Sequence, residues 1–160
     1  MYNVGDKIVY PMHGAGIIES IEEREILGKI CSYYVMKIPI GDLKVMIPTN
    51  NVDDIGIRDV ISITDADKVF SVLGSNQHEL SSNWNKRYRE NMVKIKSGNI
   101  FEVAEVVRSL MQRERERGLS TGERKMLNSA KQILISELVL AKGLNQREVE
   151  NKIHEYLLHG

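Results

Sequence analysis

The sequence predicts an α+β chain: a small, strongly bent β-sheet or barrel first, then a compact all-α domain of four to five helices. Three observations carry this. Up to about residue 55, short β-rich runs alternate with Pro and Gly. From about Thr64 the apolar residues recur at helical spacing instead. The 160 residues, 42% apolar and 28% charged, suffice for one good core or two small ones. The change of period divides the chain into residues 1–63 and 64–160.

In the first part, residues 7–10, 16–26, 30–38 and 43–47 read as strands, punctuated by Pro11, Gly14, Gly28, Pro39, Gly41 and Pro48. Leu27-Gly28-Lys29 and Ile40-Gly41-Asp42 read as hairpin turns. Glu19, Glu22, Glu23, Arg24 and Glu25 mark a solvated strand edge, where charge discourages unwanted pairing.

In the second part, Thr64 or Asp65 starts a short helix through Val69, Phe70 and Leu73, closed by Gly74. Residues 78–82 form a polar connection into a helix around Trp84, which Ser97, Gly98 and Asn99 end. Ile100, Val103, Ala104, Val107, Leu110 and Met111 then make one apolar stripe. The next helix opens on a capping box, Ser120-Thr-Gly-Glu123, with Met126, Leu127, Ala130, Ile133, Leu134, Leu138 and Ala141 inward. A last helix starts at Asn145-Gln-Arg-Glu148. The alternating charges of residues 112–117 read as a solvated helix end.

Composition excludes several classes. No apolar run approaches the ~20 residues of a membrane span, and no secretory signal opens the chain. The lone Cys31 cannot form an internal disulfide, which suits a reducing cytoplasm. His13, His78, His154 and His159 share no metal-ligand spacing, so no metal and no cofactor is expected. The glycines around His13 precede a strand, where a phosphate loop requires a helix N-terminus. No nucleophile motif appears, and the chain reads as a non-enzyme. Its zero net charge divides into −3 over residues 1–64 and +3 over the remainder.

One stretch stands apart from this balance. Residues 83–96 hold the only tryptophan and five cations, Lys86, Arg87, Arg89, Lys94 and Lys96, against one acid, Glu90. On a helix, Trp84, Tyr88, Met92 and Ile95 form a stripe flanked by the cations. Either the stripe enters a core and the cations stay solvated, or cations meet phosphates while an aromatic wedges a base step. Spacing alone leaves both open.

Longer matches bear on that choice. Val4-Gly-Asp-Lys-Ile-Val-Tyr-Pro-Met-His-Gly14, Gly41-Asp-Leu-Lys-Val-Met-Ile-Pro48, residues 52–60, Asn83-Trp-Asn-Lys-Arg-Tyr88, Val103-Ala-Glu-Val-Val-Arg108 and residues 116–127 occur in one order. On these segments the chain resembles the CarD family of bacterial transcription regulators over essentially its whole length. The resemblance implies that residues 1–63 form a Tudor-like module binding the RNA polymerase β subunit, shared with the transcription-repair coupling factor. There it is joined to a helicase, whose P-loop this chain lacks. It implies that residues 64–160 bind double-stranded promoter DNA upstream of the −10 element, with a tryptophan at the bubble edge stabilising the open promoter complex.

Carried onto this sequence, the DNA-binding set is Trp84, Lys86, Arg87 and Arg89 with Arg124 and Lys125; helix geometry adds Lys94 and Lys96. Tyr88, Met92 and Ile95 are left to the core. The polymerase-binding set is Arg24 with the strand residues Leu43, Val45, Met46 and Ile47, Met46 standing where some members carry a second arginine. The expected protein is a cytoplasmic monomer with little DNA sequence preference. The competing reading is a protein-interaction adaptor that binds no DNA and keeps Trp84 in its core.

Overall fold

The computed structural model describes residues 1–75 and 83–159. The polar connection expected over residues 78–82 lies outside them. Strands β1 (Lys7–Tyr10), β2 (Gly14–Ile26), β3 (Lys29–Ile38), β4 (Leu43–Pro48) and β5 (Arg58–Asp59) form one antiparallel sheet in the order β4-β3-β2-β1-β5. A four-residue helix, α1 (Val52–Ile55), precedes β5. Then come α2 (Ile63–Gly74), α3 (Trp84–Lys96), α4 (Ile100–Arg117), α5 (Thr121–Lys142) and α6 (Gln146–His159). The α+β expectation holds.

The β2–β3 hairpin turns where Leu27 and Gly28 both adopt positive φ, 52° and 78°, as a tight two-residue hairpin turn requires. β1 pairs with β2 only up to Ile17. Beyond a bulge between Ile18 and Ser20, β2 therefore has β3 alone as neighbour. The acidic run of residues 22–25 lies on that open edge.

Alternation along the strands gives the sheet two apolar faces. Ile8, Ile18, Tyr34, Met36, Ile38 and Ile47 close one core with Ile57. Val9 and Ala15, with Ile17 and Val60 at the margin, meet Leu140 of α5 on the other face.

The helices start on side-chain caps. Ser62, two or three residues before the expected Thr64 or Asp65, accepts from the Asp65 amide at 3.1 Å. Asn99 accepts from Phe101 at 2.9 Å. Asn145 and Glu148 satisfy one another's amides at 2.8 and 3.2 Å, a complete capping box. α4 is the central helix, with Ile100, Val103, Ala104, Val106, Val107 and Leu110 all buried. α5 departs from a one-sided stripe. Residues 133–138 are buried all round because that stretch lies between the helical core and β2. No helix among the described residues is long and apolar enough to cross a membrane.

Candidate nucleic-acid interface

Trp84 is the first residue of α3, directly after the N-cap Asn83, whose side chain accepts from the Lys86 amide at 3.1 Å. The indole is 42% exposed. It stacks on Tyr88 with ring centroids 5.0 Å apart and planes 21° from parallel. Its Nε1 donates to Ser120 Oγ at 3.0 Å. Ser120 is also the N-cap of α5, accepting from the Glu123 amide at 3.2 Å. Gly122 lies beneath both rings; a Cβ there would sit 3.6 Å from Trp84 Cζ2 and 3.8 Å from Tyr88 Cε2. The indole is thus fixed at one edge and open to solvent at the other.

The neighbouring Arg87 corrects the sequence reading. Expected among the phosphate contacts, it is 1% exposed. Its Nε and Nη2 donate to the two carboxylate oxygens of Glu123 at 2.8 and 3.1 Å. Glu123 is itself 2% exposed, and Arg113 Nε stands 4.0 Å from it. The buried line of α3 is therefore Arg87, Asn91 and Ile95, with Tyr88 and Met92 only partly buried beside it. A guanidinium enclosed in this way has no face for a phosphate. The capping box is also only half formed, since the Glu123 carboxylate serves Arg87.

The Arg87 hydrogen bond, first of all, holds the Glu123 carboxyl below the usual glutamate range. Burial opposes the shift; the charges of Arg87 and Arg113 and the Ser120 hydroxyl reinforce it. A depressed folded-state pKa stabilises fully above the unfolded value of about 4.3 and is lost as pH falls through the folded value. Urea midpoints measured from neutral pH downward are expected to fall below about pH 4, more steeply for the wild type than for Glu123→Gln.

The remaining expected cations divide into two groups. Lys86, Arg89, Arg124 and Lys125 are exposed on the first two turns of α3 and α5, the ends that meet at Trp84 and Ser120. Lys86 lies 3.9 Å from Glu90, and Arg124 lies 3.5 Å from Glu114. Such exposed pairs are worth little and open readily. That second pair brings the last turns of α4, with exposed Arg115 and Arg117, alongside α5. Lys94 and Lys96 sit roughly 15–18 Å down α3 from Trp84, and Lys94 is bound to Glu105 at 3.0 Å. They are not gathered with the tryptophan. Sequence reasoning missed Ser120 and Gly122 as supports of the indole; only the capping box marked their position.

On the sheet, β4 is an edge strand, paired on one side with β3. Leu43 and Met46 are exposed there, and Arg24 is exposed on β2, 3.5 Å from Glu22. Ile47, expected in the polymerase-binding set, is 0% exposed, and Val45 packs partly buried against the same core. Alternation explains this correction: Val45 and Ile47 point inward together, which excludes Ile47 as a direct contact.

Two family models cover most of the chain. The one described as CarD-like/TRCF RID domain matches residues 2–61, and the one described as CarD, C-terminal domain matches residues 68–154. The chain is also 42% identical over 151 residues to the Bacillus subtilis (strain 168) protein named "Putative transcription factor YdeB", covering 94% of this chain and 99% of that one. The chain belongs to the CarD family of bacterial transcription regulators.

Proposed function

We propose that the protein acts by binding alone, joining RNA polymerase to upstream promoter DNA and holding the open complex with Trp84 as a wedge. Residues 1–63 serve as the polymerase-binding module, through the β4 edge, Leu43, Met46 and Arg24. An open edge can accept a strand of the partner by main-chain hydrogen bonds. Residues 64–160 serve as the DNA-binding module, through Trp84, Lys86, Arg89, Arg124 and Lys125.

The observation that carries this is the half-exposed indole at the junction of two helix N-termini, with exposed cations on the first two turns of both helices. Helix N-termini and cations both favour phosphate, and an aromatic edge beside them can enter an unstacked step. An adaptor with Trp84 in its core would need that ring enclosed.

Since Trp84 is the only tryptophan, its emission reports its own surroundings. In the isolated protein at low salt, a fork-junction duplex is expected to quench it more than a fully paired duplex of the same sequence. The midpoint should weaken as salt rises, with a slope set by a few phosphate contacts. Equal emission with and without the fork would refute the wedge.

A further inference from the structure

Glu137 lies in the C-terminal part of α5 and is 0% exposed. Its carboxylate accepts from Arg58 Nη1 and Nη2, both at 2.7 Å, and from the Ile61 amide at 3.0 Å. Arg58 belongs to β5, and its Nε donates to the carbonyl of Gly98 at 2.8 Å, in the turn between α3 and α4. One side chain thus ties the sheet to α5 and to the end of the tryptophan helix. A two-pronged Arg–carboxylate contact fixes direction as well as distance.

Around this pair the sheet lies directly on α5. The Ala15 amide donates to Ser136 Oγ at 2.9 Å, and Lys7 Nζ to the Leu140 carbonyl at 3.3 Å. A Cβ on Gly14, where φ is 115°, would stand 2.7 Å from Ser136 Oγ, so the β2 backbone approaches as closely as glycine permits. Roughly 20–25 Å along the same helix, Glu123 grips Arg87 and Ser120 holds the indole. α5 is a strut with the sheet at one end and Trp84 at the other.

We propose that Arg58 and Glu137 are positioning residues that lock the two modules into one rigid body, so that docking of the sheet delivers Trp84 to one fixed place. This rests on the function proposed above. With free modules, the second contact would have to be found by diffusion at the end of a linker. A locked strut removes that ordering cost before binding. Neither residue belongs to the polymerase-binding or DNA-binding set proposed above.

Glu137→Gln tests it, because the side chain keeps its shape while the charge that grips Arg58 is lost. Backbone 15N relaxation on the full chain should give one rotational diffusion tensor for both modules in the wild type and two in Glu137→Gln. With reconstituted polymerase, the variant should lose about five-fold or more of the open-complex lifetime gain. Its separate affinities for polymerase and for a fork-junction duplex should stay unchanged. Arg58→Lys, which keeps the charge and loses the fork, should fall between the two and serves if Glu137→Gln does not fold. A lifetime gain that survives both substitutions, or one tensor in every variant, overturns the latch alone. A wild type that tumbles as one body yet gives no lifetime gain overturns the transcription reading, and the positioning role with it.

Discussion

Arg87→Ala is expected to lower folding stability by about 3–5 kcal/mol, the range for removing one partner of a buried ion pair. The cause is the carboxylate left behind. Glu123, 2% exposed, keeps a cap hydrogen bond from Ser120 and a distant Arg113, neither of which replaces a two-pronged guanidinium. For a chain of 160 residues the melting temperature should fall by roughly 10 °C or more. Replacing both partners, as Arg87→Met with Glu123→Leu, should recover much of the loss, because no buried charge then remains. A solvated, phosphate-facing Arg87 would behave oppositely, with the single substitution leaving thermal and urea unfolding unchanged while DNA binding weakened.

Trp84→Ala should separate stability from function in the other direction. Burying a whole indole makes its removal cost about 3–5 kcal/mol, but this ring is 42% exposed and its hydrogen bond ends on a solvent-facing hydroxyl. Loss of the Tyr88 stacking accounts for about 1 kcal/mol. At a bubble edge the same ring has a different worth. Stacking of one base on an aromatic side chain contributes about 1–3 kcal/mol, and reannealing would have to expel it. Removing the ring should therefore shorten the open complex by roughly five- to hundred-fold. Trp84→Phe, which keeps a flat ring but loses the bond to Ser120, should fall between.

The fold was legible because its signals are local. Turn residues at 27–28 and 41–42 and the cap at Ser120 are each decided within a few positions of sequence. The two periods could be read directly from the spacing of apolar residues. The stretch around Trp84 stood out as a concentration of cations around the only tryptophan. The fate of Arg87 was not, because its partner is 36 residues away; charge density cannot distinguish a solvated cation from one that a distant carboxylate draws inside. Arg58 and Glu137, 79 residues apart, were invisible for the same reason. Ile47 shows a third case. The strand was recognised, but which of its faces turned inward depended on its register with β3.

In the proposed mechanism an exposed indole, held by Ser120 and Tyr88, keeps a promoter open. The most direct test is open-complex lifetime on a promoter fragment with purified polymerase, comparing no factor, wild type and Trp84→Ala. Wild type should lengthen the lifetime, and Trp84→Ala should return it to the no-factor value while melting within a few degrees of wild type. Equal lengthening by both proteins would contradict the wedge and leave any DNA role to the cations.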